Sequence, residues 1–341
     1  MGLCPYTNLM SLFKLTPCNV GIWAGVGLLV AFMLLKHTVA RFHIRGKVAL
    51  VTGGSVGIGL DLAKELAKKG AHVYIAARRT DILKTAQAEV AAAGAAAGFS
   101  TNTFGYVQMD VADEASVAKA VKQIFATHGR IDLLICNAGL SHPSRFLDIP
   151  ESKCRQMMDV NFFGCVNVVR AVLPKMLENK SGRVVVTSSM ASAAAVAGFS
   201  IYSPTKAAVR AFAQAMDMEN AALGVRFQVL NPPDVQTPGF DEENKVKSPE
   251  CKQICEMGGN TTFASDAVAK ATIAGIENYR FQINIGFDGF MLGNLTANME
   301  PPTSVGQLLF QFCFSGLLRV VSAGYVKAHY GIVKKVRASE K

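Results

Sequence analysis

The sequence predicts an α/β chain. One doubly wound parallel sheet is covered by helices on both faces and flanked by apolar, basic tails. Three observations predict it. Short runs rich in Val, Ile and Leu alternate with amphipathic stretches over residues 47–290. A glycine-rich turn stands between the first run and the first amphipathic stretch. The two ends of the chain hold most of the net positive charge and long apolar stretches. Strands that are apolar on both faces and joined by helical crossovers belong to a parallel sheet buried on both sides.

The elements follow in order. "KVALVT" (47–52) reads as the first strand and "LDLAKELAKKG" (60–70) as a helix ended by Gly70. "HVYIAA" (72–77) is the second strand. Residues 88–99, "AEVAAAGAAAGF", read as a frayed helix end and a loop. "FGYVQMD" (104–110), "IDLLICN" (131–137), "GRVVVTSS" (182–189) and "VRFQVLN" (225–231) continue the series. No internal repeat and no second domain is visible. The chain divides into an N-terminal segment (1–46), the α/β body (47–300) and a C-terminal tail (301–341).

Residues 15–35 contain no charge, a length sufficient to cross a hydrocarbon core of about 30 Å. A cleaved signal peptide places its positive charge before the apolar run, whereas here Lys36, Arg41, Arg45 and Lys47 follow it. A membrane anchor is therefore expected, with residue 36 onward in the cytosol and the short N-terminus in the lumen. The apolar run 308–318 is too short to span alone and is interrupted by Arg319. An interfacial or re-entrant segment is expected there, with a helix packed on the body as the alternative.

The formal net charge is +10, and its distribution limits the class of partner. Residues 1–46 hold Lys14, Lys36, Arg41 and Arg45 and no acid, while residues 302–341 hold six Lys or Arg against Glu340 alone. The body is close to neutral. A nucleic-acid binder carries its charge on the folded body, so no nucleic acid is expected. Basic tails beside apolar stretches suit an anionic membrane surface. Among eight scattered cysteines only Cys251 and Cys255 are close, and no histidine stands nearby to complete a zinc set. Reduced thiols and no metal are expected.

The turn "VTGGSVGIGL" (51–60) carries the first chemistry. Gly53 permits a tight turn, Gly57 a close backbone approach to a pyrophosphate, and Gly59 close packing of helix on strand. Ser55, Val56 and Ile58 lie between them. The following helix offers free N–H groups to phosphate. This is the dinucleotide site of a Rossmann fold. At the end of the second strand, where an acid would contact a ribose hydroxyl, stand Arg78 and Arg79. Guanidinium groups suit a 2′-phosphate, which points to NADPH. In "IYSPTKAAVRAF" (201–212), Tyr202 and Lys206 share one helical face, with Pro204 tolerated in the first turn.

Together with "NAG" at 137–139, these motifs resemble the short-chain dehydrogenase/reductase family across residues 47–290. The resemblance implies roles. Asp110 and Val111 contact adenine, and Asn137, Ala138 and Gly139 form a cofactor motif after the fourth strand. Tyr202 donates a proton to the carbonyl oxygen. Lys206 lowers the tyrosine pKa and binds the nicotinamide ribose. Ser189 in "TSSMAS" hydrogen-bonds the carbonyl oxygen, with Ser188 as the alternative. Asn161 in "MDVNFFG" holds a water in a proton relay. Val235 and Thr237 close over the nicotinamide.

One departure is informative. In "NPPDVQTPGF" (231–240), Pro233 stands where most members have glycine. That segment, the "DEEN" after it, "GFDGFMLGNLT" (286–296) and the apolar tail resemble a membrane-bound branch of the family. Such enzymes sit on the endoplasmic-reticulum membrane, face the cytosol and reduce a long-chain amino ketone with NADPH. The alternatives are a membrane-tethered reductase of a steroid or a 3-ketoacyl-CoA, or a non-catalytic NADP(H) sensor. A homo-oligomer is left open.

Overall fold

The computed structural model describes residues 40–258, 262–297 and 299–340, with Gly25 and Gly27. Apart from those two glycines, the predicted anchor at 15–35 lies outside the described residues.

Among the described residues the strands are β1 (Val48–Thr52), β2 (His72–Ala77), β3 (Phe104–Gln108), β4 (Leu133–Cys136), β5 (Gly182–Thr187), β6 (Val225–Asn231), β7 (Val235–Gln236), β8 (Phe263–Ala264) and β9 (Gln282–Asn284). The body helices are α1 (Gly57–Lys68), α2 (Thr80–Ala96), α3 (Glu114–His128), α4 (Glu151–Met158), α5 (Gly164–Glu178), α6 (Tyr202–Asn220), α7 (Pro238–Val246), α8 (Pro249–Met257), α9 (Ser265–Glu277) and α10 (Gly286–Leu295). A last helix, α11, runs from Val305 to Ser339.

Seven strands form one parallel sheet in the order β3-β2-β1-β4-β5-β6-β9. Side chains alternate across it. In β1, Val48 and Leu50 join the core beneath α3, α5 and α6, whereas Ala49 and Val51 join the core beneath α1, α2 and α9. The strand order reverses between β1 and β4. In open α/β sheets, ligands bind in the crevice at such a switch point, beyond the carboxyl ends of the strands.

Three local features differ from the sequence-based expectation. The alanine-rich stretch is ordered helix to Ala96 rather than a frayed end. Alanine is the strongest helix former, and Gly94 there is buried because a Cβ would lie 2.3 Å from the Phe104 ring. A π-turn, Asp159–Phe163, separates α4 from α5 and contains Asn161. Finally, Arg319 does not interrupt the tail. Helix α11 passes through it for 35 residues, about 50 Å at 1.5 Å per residue.

Helix α11 lies along the body rather than projecting from it. Near its start, Phe310 packs on Phe290 of α10, and Gln311 donates to Asn294 Oδ1 at 3.2 Å. At its end, Glu340 and Arg337 join an ionic knot with Arg145 and buried Glu250 of α8. Between these anchors its outer face exposes Phe312, Leu317, Val320 and Tyr330 to the surroundings. Among the described residues it is one of two helical segments long and apolar enough to cross a membrane. The other, Glu151–Glu178, supplies Val168, Val172 and Met176 to the core beneath the sheet.

Candidate active site

The carboxyl ends of β1, β2, β4, β5 and β6 open into one cleft of about 1650 Å³. That is larger than a pocket for one ligand, commonly about 300–1,000 Å³, so a dinucleotide and a second long molecule fit together. The predicted residues Gly53, Ser55, Val56, Gly57, Ile58, Arg78, Arg79, Asp110, Val111, Asn137, Ala138, Gly139, Ser189, Tyr202, Lys206, Val235 and Thr237 all line it. Asn161 is buried behind the wall.

The glycine turn is shaped by backbone proximity. Gly53 has φ +63°, and a Cβ there would meet Ala138 Cα at 2.9 Å. At Gly59 a Cβ would fall 2.2 Å from Gly53 O, so helix α1 meets the turn only without a side chain. Val56 precedes α1 and makes no capping bond, in contrast to Asp113, whose carboxylate accepts from Ala115 N before α3. The first N–H groups of α1 therefore stay available to a phosphate at the cleft. Thr52 Oγ1 accepts from Asn137 N at 3.0 Å and Ala138 N at 3.2 Å, which ties the β4 loop to the β1 turn. Thr237 caps α7 by accepting from Phe240 N at 3.2 Å, and it lies against Gly57 across the cleft. The glycine cradle, the uncapped helix and the paired arginines fit a phosphorylated dinucleotide.

Helix α6 begins at Tyr202, so Tyr202 and Lys206 occupy its first two turns on the cleft side. Lys206 Nζ lies 5.7 Å from the Tyr202 ring and donates to Thr187 O at 2.9 Å. Gly139 makes room for it, since a Cβ there would stand 3.2 Å from both Lys206 Nζ and Asn161 Oδ1. Burial pushes the Lys206 ammonium down to about 8. The Tyr202 phenol moves the opposite way from the sequence-based expectation. Burial raises its pKa, Glu243 and Asp234 add to the rise, and the Ser189 hydroxyl opposes it. The physical reason is first that the phenol is buried, and second that the charges adding to the shift are carboxylates, while Lys206 donates to a backbone carbonyl. A neutral phenol is the form that can donate a proton.

The two adjacent serines face different ways. Ser188 Oγ donates to Lys206 O at 2.8 Å and is buried. Ser189 Oγ accepts from Ala191 N at 3.1 Å and stands beside Tyr202. Asn161 is tied to both the β4 loop and α6. Its Nδ2 donates to Leu140 O and Thr205 Oγ1, both at 2.9 Å, and its Oδ1 accepts from Leu140 N at 2.8 Å. Both N–H groups are spent. The side chain clamps the β4 loop to α6 and retains only one acceptor lone pair for a water.

Sequence reasoning assigned nothing to Ser141, Asp234 or the middle of α11, yet all line the cleft, as does Glu243. From α11 come Leu318, Val321, Ser322, Tyr325 and Val326. The "DEEN" segment was the one signal that could have drawn attention to Glu243.

Comparison with known proteins places this geometry. The family profile for short chain dehydrogenases matches residues 47–248. A 3-dehydrosphinganine reductase of Danio rerio is 35% identical over 317 residues, covering 90% of this chain and 93% of the relative. A 3-ketodihydrosphingosine reductase of Dictyostelium discoideum is 31% identical over 71% of this chain and 75% of its own length. Among solved structures, an alcohol dehydrogenase from Thermococcus sibiricus complexed with 5-hydroxy-NADP superimposes with a TM-score of 0.58 at 27% identity, covering 69% of this chain and 93% of that one. The profile spans more than half of the residues, and the Danio rerio relative matches over 90% of the chain, so this chain belongs to the short-chain dehydrogenase family and is an NAD(P)-dependent oxidoreductase.

Proposed function

We propose that this chain reduces the 3-keto group of 3-ketodihydrosphingosine to sphinganine with NADPH, on the cytosolic face of the endoplasmic-reticulum membrane. The observation that carries the reading is the composition of one cleft. It has Tyr202, Ser189 and Lys206 on its floor and the apolar helix α11 on its rim. The names of the relatives supply the substrate. A long alkyl chain needs such an apolar wall, and a small polar ketone does not.

Bound NADPH supplies the hydride. The protein positions and protonates. Ser189 donates to the carbonyl oxygen and stabilises charge as it develops there. Tyr202, held neutral, releases its proton to that oxygen. Lys206 presents an ammonium beside the phenol, kept in place by Thr187 O and the space at Gly139. Asn161 holds the β4 loop against α6, and Val235 and Thr237 close the cleft over the nicotinamide end. Arg78 and Arg79 read the 2′-phosphate.

Helix α11 supports the membrane part. It is anchored on the body at both ends and exposes a line of Phe, Leu, Val and Tyr. Lys327, Lys334, Lys335 and Arg337 accompany that line. Such a helix lies in the headgroup region with its apolar face down. The substrate's chain would then reach the cleft from the bilayer.

The test is incubation of the membrane-bound chain with 3-ketodihydrosphingosine and NADPH while sphinganine is followed. Sphinganine formation is expected. Turnover of a steroid ketone or a 3-ketoacyl-CoA in its place would overturn the reading. Replacing Arg78 and Arg79 together by Gln should raise the KM for NADPH at least tenfold and leave the KM for NADH nearly unchanged. Equal rises would mean that the arginines do not select the phosphate.

A further inference from the structure

The cleft wall beside Tyr202 carries carboxylates backed by a buried lysine. Glu243 on α7 and Asp234 just before β7 both line the cleft. Lys247 Nζ lies 3.2 Å from Glu243 Oε1, 3.9 Å from Asp234 Oδ2 and 4.4 Å from the Phe240 ring centroid. The Lys247 side chain is 2% exposed, so it backs the carboxylates from the protein side. Glu242, also at the cleft, pairs with Lys245. On this side of the cleft two carboxylates share one ammonium, while Lys206, the other ammonium beside Tyr202, is turned to Thr187 O. The Ser141 hydroxyl is on the same wall. It is buried without a hydrogen-bond partner among the described residues. Burial raises the Glu243 pKa above the usual carboxylate range, and the Lys247 ammonium is the main group that opposes the rise.

This charge reaches the reacting group, since Glu243 and Asp234 both add to the rise that burial causes in the Tyr202 pKa. Carboxylate charge opposes the loss of a proton from tyrosine. For a neutral ketone that opposition brings nothing in return. For a ketone with a positive charge on the neighbouring carbon it is complementary.

We infer that Glu243, with Asp234 sharing its lysine, binds the ammonium group of the substrate and so selects an amino ketone. The inference rests on the function proposed above. The amine-bearing carbon is one bond, about 1.5 Å, from the carbonyl carbon. With the carbonyl oxygen at Tyr202 and Ser189, the ammonium falls beside Tyr202, where the Glu243 charge is felt. The ammonium offsets that charge as it binds. It thereby removes the opposition to proton release at the moment when Tyr202 must act. Specificity and proton transfer are coupled through the same charge.

The test compares two ketones of equal chain length, 3-ketodihydrosphingosine and the 3-ketone lacking the amine, in wild type, Glu243→Gln and Glu243→Gln/Lys247→Met. The double variant removes both charges and avoids an unpaired buried lysine. Glu243→Gln should raise KM for the amino ketone about ten- to hundredfold, the range of a hydrogen bond to a charged group. kcat/KM for the amine-free ketone should stay within about threefold. The double variant should show the same split. An equal loss on both ketones, or no loss on either, overturns the ammonium site and leaves the proposed function standing. A wild type that reduces only the amine-free ketone overturns both.

Discussion

Strand β5 carries a buried cation at each end, and the two are held in opposite ways. Arg183 lies at its start, and Lys206 docks on Thr187 at its finish. Each is 4% exposed, so burial does not distinguish them. Arg183 is stacked between Phe42 and Tyr279, with ring centroids at 5.2 and 4.9 Å. Beyond Tyr279, Arg226 pairs with Asp217 at 2.8 Å. Burial pushes Arg183 down to about 10, and it stays charged at neutral pH. Lys206 has no carboxylate within ion-pair distance among the described residues, and burial brings it to about 8. An aromatic-stacked guanidinium is a permanent brace. A buried ammonium without a counter-ion is a charge that the site retains only at a cost, which a bound anionic ligand offsets.

The difference breaks most sharply at the cleft end. Tyr202→Phe removes one hydroxyl and keeps the ring packing, so turnover should fall at least about 10²–10⁴-fold with an unchanged Tm. Measured kcat close to wild type would return the start of α6 to a purely structural role.

Lys206→Met should lower both turnover and NADPH affinity, and its defect should not add to that of Tyr202→Phe. It should also stabilise the cofactor-free protein at neutral pH, by an amount on the order of 1–3 kcal/mol. The sign follows from the direction of the shift. The folded pKa of about 8 lies below the ordinary 10.5. Between those values the unfolded chain binds more protons, so wild-type stability rises with pH across that window. The advantage of the variant should therefore be largest below pH 8 and shrink toward pH 10. Melting curves of both proteins across that range decide it, and a gap that does not change with pH would remove Lys206 as its source.

Arg183→Met should have the smallest effect. Its Nε and one Nη make no hydrogen bond among the described residues, and a buried ion replaced by an apolar group of similar volume is often near neutral. Stability should change by no more than about 1 kcal/mol, roughly one cation–π contact, and kcat by less than twofold. A large loss of activity would tie the far end of β5 to the site and erase the contrast drawn here.

Much of the fold was legible because its causes are local. Apolar runs separated by helical stretches mark β1, β2, β3, β4, β5 and β6 to within two residues at each end. The alanine-rich end of α2 was misread because residues 88–99 look featureless until Phe104 closes over Gly94. Most motif residues from Gly53 to Thr237 lie along one cleft because they follow strand ends, which a parallel sheet gathers on one side, and Tyr202 and Lys206 reach it from the start of α6.

What the sequence by itself determined is the set of chemical groups and the strand ends that carry them: the glycine turn, the paired arginines, and Tyr202 with Lys206 one turn apart. Tertiary structure decided which way those groups face and what surrounds them. Ser188 commits its hydroxyl to the Lys206 carbonyl, and Ser189 stands beside Tyr202. The Asn161 amide is consumed by Leu140 and Thr205. Burial, with the Glu243 charge adding to it, holds the Tyr202 phenol above its ordinary value. Arg145, Glu250 and Glu340 meet across about two hundred residues to hold α11 over the cleft. Spacing along a chain fixes partners within a helix or across a turn. Burial, hydrogen-bond saturation and charge depend on groups that only folding brings within a few ångströms.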